Sequence, residues 1–502
     1  MRQPLLAKAP LRLAIAEQIS YPPPVGGWNA RDAYSAMGPE DAVILQNWFP
    51  GTSAVVTRGG TSSHATGIPG VGKTLATYSA MNGAQSMFTA TSANIYDVTS
   101  PGAVGAGKLA RTDGKHQWVN YGDGTNNWLI MVNGVDKPAY FDGTTWTAVD
   151  AVSVPALTGV TSSTLVDVMV YQGRVFFIQK NTLSFWYLPS GVVGGALTKF
   201  DLSTEASKGG YLMAMMNWTY DGGDGSDDRA VFITSMGEVI VYQGNNPSSS
   251  TAWAKVGTYY VGNPIGRRSM CKYGGDLLVL TQEGVVPLST ALTGVVNDSK
   301  FNLSNKIDGA FLDASLTYGS VFGWEMTIYP AEGALIVNVP HAENGTHEQF
   351  VMNTITKAWC RFTGWDAEAF GILNQELYFV NINGVTKAWT GTTELGNPIA
   401  FIIAETAFSR FKSYNQKTIK MTRPVINAAG VATVSLGIIT DFADPPPSIS
   451  SVYNLTVGIN NDWRSPPSYS CTWAAAYVFI TSTSFALQWL SNDWLWESGS
   501  SL

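Results

Sequence analysis

Charge is what this sequence has least of. Asp, Glu, Lys and Arg make up 13% of its 502 residues, about half the share of an ordinary globular domain. The formal net charge is −7. No basic cluster stands out, which argues against a free nucleic-acid binder with a positive footprint. Cysteine is nearly absent too. Cys271, Cys360 and Cys471 lie far apart, and no C-x-x-C occurs. A disulfide framework and a zinc knuckle are therefore excluded, and buried free thiols are expected. No apolar run approaches the roughly 18 residues of a membrane span. The opening MRQPLLAKAPLRLAIAEQ is interrupted by Lys8 and Arg12 and does not read as a signal peptide. The expectation is a soluble chain made in the cytoplasm. No G-x-S-x-G elbow is found, so no activated serine is signalled.

What is abundant points to strands. Gly (51), Trp (17) and an apolar share of 45% favour closely spaced strands and tight turns over helices. One pattern recurs: an apolar run, a turn with Gly or Asn-Gly, and a second apolar run. Val231–Tyr242, Leu277–Leu288, Leu377–Trp389, Leu129–Phe141 and Phe176–Tyr187 are clear copies, and weaker ones start near Met87 and Leu335. The starts are about 42–58 residues apart, the spacing of an array of blades. An upstream strand such as Val168–Tyr171 and an aromatic one such as Lys357–Phe362 bring each unit to four strands. Repeated six or seven times, this predicts an all-β fold, a β-propeller. The early strand Ala54–Thr57 is expected to complete the last blade and remove its exposed edge.

Three parts are expected. Residues 1–40 read as an extended N-terminal arm and linker, with the stiff Tyr21-Pro-Pro-Pro-Val-Gly-Gly-Trp28. Residues 41–395 form the propeller, and 396–502 a small C-terminal β domain, barrel or sandwich. Gly38–Phe49 is expected to hold a helical turn, with Pro39 at its first position. Tyr477–Leu490 is expected to be a final strand pair.

The stretch Gly67-Ile-Pro-Gly-Val-Gly-Lys-Thr74 matches the phosphate-loop pattern at every position. Such a loop works only between a buried parallel strand and a helix N-terminus. Before it stands the small, polar Gly59–Thr66; after it the alternating Leu75–Gly83. The expected role is a flexible link into the first blade, and nucleotide binding ranks last. Asp221–Asp228 has spaced carboxylates but lacks the order of a calcium loop, and reads as a solvated inter-strand loop. His341, Glu343 and His347 have a spacing that a metal would accept, yet no third strong ligand follows; a surface loop is expected. His64 and His116 stand alone. Asp and Glu are few, and no pair stands out for glycoside hydrolysis. Most Trp are expected to wedge between blades. No catalytic, cofactor or metal residue is assigned, and the chain is expected not to be an enzyme.

Several stretches resemble one family. Val25–Asp32, Asp41–Pro50, Phe141–Trp146, Thr406–Phe411 and Met421–Pro424 look like the structural tail proteins of short-tailed bacteriophages, of the nozzle or tail-hub type. The resemblance implies a propeller subunit in a homo-oligomeric ring, usually of six copies, located in the virion tail. It implies an adaptor and portal above, tail fibres or spikes outside, and double-stranded DNA passing through the lumen without specific binding. A Pro-rich arm suits wrapping a neighbouring copy, and a weakly negative wall suits sliding DNA. The alternative is a propeller that binds or cleaves glycans.

Overall fold

The computed structural model describes residues 16–221, 226–292, 302–443, 451–465 and 469–498. The chain forms two compact units: Arg58–Ile399, and a discontinuous one of Met1–Thr57 with Ala400–Leu502. The propeller therefore begins near residue 58 rather than 41, and the segment before it belongs with the C-terminal strands.

Arg58–Ile399 is a seven-bladed β-propeller. Its antiparallel sheets span 74–110, 117–148, 165–201, 212–260, 270–287, 325–363, and 369–388 with 61–66. These are blades 1 to 7. The recurring hairpins fall on the second strand of each blade, from Gln85–Ala90 in the first to Glu376–Asn381 in the last. Among the described residues blade 5 has three strands, followed by helices Leu288–Leu292 and Asp308–Tyr318. Phe311 of the longer helix meets Phe350 and Trp359 of blade 6 edge-on, at 5.1 and 6.0 Å. Elsewhere aromatics fill the wedge between blades: Phe185 of blade 3 stacks on Phe232 of blade 4 at 4.6 Å. Trp218, Trp359 and Trp365 are fully buried, as their number suggested.

The ring closes with a different strand from the one expected. Val55–Thr57 pairs with Trp48–Pro50 and with Leu487–Ser498 in the other unit's own sheet. Blade 7 is completed by Thr61–Thr66, antiparallel to Gly384–Ala388. That strand is small and polar because only its ends are covered beyond blade 7, by short pairings with Gly102–Ala103 and Glu394: Ser62 and Ser63 are exposed while Thr61 and Ala65 are buried. Its polarity hid it as a strand. The approach is backbone to backbone. A Cβ on Gly384, at φ +120°, would stand 2.2 Å from the Ala65 carbonyl oxygen, so only glycine fits.

The discontinuous unit is a sandwich. Strand Lys417–Ala428 pairs along its length with Leu487–Ser498, and Ala16–Tyr21 adds to the outer side of the latter. In the second sheet Ala474–Thr483 lies beside Ala432–Thr440, and Asp41–Gln46 pairs with Asn397–Thr406. Ile419, Trp494 and Trp496 from the first sheet and Ile438, Ala474 and Ala476 from the second share one core. Three expectations change. The described part of the arm contributes a paired strand; residues 1–15 lie outside the described residues. The helical turn is instead strand Asp41–Gln46, since its β-branched Val43-Ile44 pair suits an extended chain. The last two strands join opposite sheets rather than each other.

Candidate functional site

The first strands of the seven blades neighbour one another in a closed circle and line the axis. All run the same way, so their N-terminal ends meet at one mouth. Five blades place charge there: Lys73 before blade 1, Asp167 in blade 3, Arg267 and Arg268 before blade 5, Glu325 in blade 6 and Glu368 before blade 7.

Arg268 crosses this axis. Its Nη1 pairs with Glu325 Oε2 at 3.0 Å. Its Nη2 donates to the Lys73 carbonyl at 2.8 Å, to Thr74 Oγ1 at 3.0 Å and to the His116 carbonyl at 3.2 Å. One guanidinium thus ties blade 5 to blades 6, 1 and 2, a task that suits its planar fork. His116 is fully buried, which pulls its pKa down to about 4; it is neutral at pH 7 and adds no charge.

Lys73 donates to Glu368 Oε2 at 2.7 Å and reaches Glu343 Oε1 at 3.3 Å. Lys115 joins the same Glu343 oxygen at 2.9 Å. Phe322 collects all three cations: Lys115 lies 4.8 Å, Arg268 5.1 Å and Lys73 5.8 Å from its ring centroid, within cation–π range.

Two cavities meet at Arg267 and Arg268. The inner one, about 250 Å³, is lined by Leu75, Gln117, Asp167, Met215, Met270, Met326 and Phe370, one from each blade. The outer one, about 320 Å³, opens between Lys115, Lys180, Val135 and Phe322. Burial pushes the Asp167 carboxyl up to about 7, against the Met215 N–H bond and the charge of Arg267. Burial also pushes Glu325 up, against the pull of Arg268. Arg267 itself is held by backbone: its Nη1 donates to the Met213 carbonyl at 2.8 Å. Sequence reading took Lys73 and Glu343 only as parts of other motifs and passed over Asp167, Arg267, Arg268, Glu325 and Glu368, because they lie far apart in the chain and form no motif. The available signal was positional: a charge at or just before the first strand of successive blades.

The stretches singled out from the sequence fare differently. Gly67–Thr74 does link the closing strand to blade 1, and strand Thr74–Ser79 begins where a phosphate loop needs a helix. The link is fixed at its end rather than flexible, since Lys73 and Thr74 are buried. Thr74 Oγ1 donates to the Gly114 carbonyl at 2.7 Å. The motif's lysine and threonine are thus both engaged with protein. His341, Glu343 and His347 diverge: His341 stacks on Tyr318 at 4.5 Å, Glu343 serves the two lysines, and His347 Nδ1 faces the Gly345 carbonyl at 3.0 Å. Among the described residues no three His, Cys, Asp or Glu come together as a metal site. The centre of the Asp221–Asp228 loop lies outside the described residues; Asp228 accepts from Thr219 Oγ1 at 2.8 Å and Gln172 Nε2 at 3.0 Å. Cys360 and Cys471 are buried and Cys271 half-buried, all as free thiols, and burial raises the pKa of each. Among the described residues no helix is long and apolar enough to cross a membrane.

No protein-family model and no curated protein matches the sequence. Solved structures similar to it include the β-propeller domain of Myceliophteria thermophila Cps50 (Swd1), at 9% identity and TM-score 0.40, covering 65% of this chain and 98% of that one. YCF48 bound to D1 peptide gives 9% and 0.36, covering 72% and 99%. A glycoside hydrolase family 43 arabinoxylan arabinofuranohydrolase from Bacillus subtilis gives 10% and 0.25, covering 91% and 96%. At such scores these likenesses carry no inference about activity; the blade count rests on strand pairing.

Proposed function

We propose that the chain is a structural, non-enzymatic subunit of the tail nozzle or hub of a short-tailed bacteriophage, building a closed ring of copies through which the genome passes. The observation that carries this reading is where the family-like stretches lie. Four of the five, split by more than three hundred residues of chain, belong to one sandwich; three touch directly, and the fourth meets the strand Leu487–Ser498 on which Phe411 also packs. Asn29 donates to Asp41 at 2.9 Å. The Ala407 N–H donates to the Asp41 carbonyl at 3.0 Å. Phe411 packs on Trp494 at 5.1 Å, and Arg423 pairs with Asp493 at 2.7 Å. A resemblance scattered in sequence but gathered in space is what a shared structural unit would leave. Because Arg268 crosses the propeller axis, the DNA path in this reading runs between copies rather than through a propeller.

The second reading, a glycan-cleaving propeller, draws on Asp167 and Glu325 lining one cavity. It is weaker because both carboxylates are tied by neighbouring blades: Asp167 by the Met215 N–H at 2.9 Å and Glu325 by Arg268. Particle mass separates the readings. The nozzle reading expects the purified protein to reach a fixed multiple of its 53.9 kDa and to release no reducing sugar from bacterial surface polysaccharide. A monomer whose sugar release is abolished by Glu325→Gln overturns it.

A further inference from the structure

The outer cavity at the propeller mouth carries more positive charge than its own carboxylates answer. Lys115, Lys180, Arg267 and Arg268 line it, with Asp113 as the one acidic side chain. Lys115 and Arg268 are paired, with Glu343 and Glu325. Among the described residues Lys180 and Arg267 have no ion-pair partner. Among the described residues Lys180 Nζ reaches just the Gly134 carbonyl, at 3.4 Å. Arg267 spends Nη1 on the carbonyls of Leu212 and Met213 and lies 5.7 Å from the Tyr211 ring centroid; its Nε and Nη2 have no hydrogen bond among the described residues. The acid that acts on it, Asp167, keeps much of its proton at neutral pH because burial has pushed its pKa up to about 7. It therefore answers the guanidinium only in part.

Beside these cations the wall is apolar, with Val135, Val166, Val321, Phe322 and Trp324. Gln117 reaches the same space, with an amide that has no hydrogen-bond partner among the described residues. A bare phosphate would gain nothing from the apolar wall and would leave it wet. A carboxylate on a short aliphatic stem, next to an apolar side chain, would use both faces. The volume of about 320 Å³ suits a few side chains, not a large polymer.

We propose that the propeller mouth is a docking site for an acidic peptide segment of a partner protein, its carboxylate held between Arg267 and Lys180 and an adjoining apolar side chain against Phe322 and Val166. The site stands independently of the nozzle reading, since it rests on the propeller alone.

The test uses the full-length protein and a fluorescein-labelled Glu-Leu-Glu peptide, read by anisotropy, beside its Gln-Leu-Gln counterpart. The acidic peptide should bind at least about tenfold tighter than the amide one, and binding should weaken as salt rises. Lys180→Gln should weaken it by about tenfold, the loss of one charge-assisted contact. Lys180 is exposed, so this variant keeps the fold. Lys199→Gln, which alters a surface pair with Asp201, should bind like the parent. Equal binding of the two peptides, parental binding by Lys180→Gln, or no binding at millimolar peptide overturns the proposal. Inorganic phosphate provides the remaining arm. If it displaces the peptide at matching concentrations, the mouth is a simple anion site and the peptide assignment fails.

Discussion

Lys73 Nζ lies 2.7 Å from Glu368 Oε2. The lysine stands immediately before the first strand of blade 1 and the glutamate immediately before that of blade 7. The ion pair therefore joins the two blades that sequence order holds furthest apart, on the mouth side of the ring. The Thr61–Thr66 strand joins the same region through the outer edge of blade 7. Closure has two separate fastenings, one polar at the axis and one of backbone at the rim.

Lys73→Ala should cost stability rather than nucleotide affinity. Glu368 is 1% exposed, and removing its cation leaves a buried charge, a loss of about 3 kcal/mol. Thermal unfolding should show a clear drop, and Glu368→Gln on top of Lys73→Ala should recover part of it. Calorimetry should detect no ATP binding by the parent; binding that vanishes in the variant would reinstate the phosphate-loop reading.

Much of the propeller was legible in the sequence. The seven apolar–turn–apolar runs fall on the second strands of the seven blades because inner strands are buried on both faces and their hairpins need φ > 0 residues. The closing strand was not legible. Thr61–Thr66 has one long neighbour, Gly384–Ala388, only brief pairings at its ends with Gly102–Ala103 and Glu394, and a wet face, so its composition is that of a loop. The sandwich boundary was hidden for a different reason: residues 16–57 pair with partners more than three hundred residues away, and local pattern carries no trace of that. The axial charges were visible as letters, but only the ring brings Lys73, Arg268, Glu325 and Glu368 to one place.

Arg268→Lys should destabilise the propeller by about 2 kcal/mol or more, although the charge is kept. A single ammonium cannot serve Glu325 on one side and the Lys73 and His116 carbonyls on the other. Denaturant midpoints of the two proteins measure the difference; equal midpoints would mean that the crossing contact contributes nothing.

Asp167 sets a pH dependence. Its folded pKa is raised from 3.8 to about 7, so the folded state holds a proton that the unfolded state releases. Its contribution is most favourable below about pH 4, falls as pH rises from there to about 7, and is level above. Asp167→Asn should flatten this part of the stability–pH curve, as measured by unfolding at pH 4, 5.5, 7 and 8. An unchanged slope would place the titration elsewhere.

Gly384→Ala should loosen the rim fastening. The added Cβ meets the Ala65 carbonyl in a backbone conformation that an L-residue resists. Hydrogen exchange in residues 61–66 should speed up markedly while blades 2 to 4 keep their protection. Unchanged exchange there would show that this strand is not what holds blade 7 shut.

The central claim, a ring-forming tail nozzle subunit, is tested most directly by electron microscopy of the purified full-length protein. The account predicts closed rings of copies around a channel wide enough for double-stranded DNA, with each propeller's own axis blocked. Isolated single copies at all concentrations, or rings whose only openings are those of the propellers themselves, would contradict it.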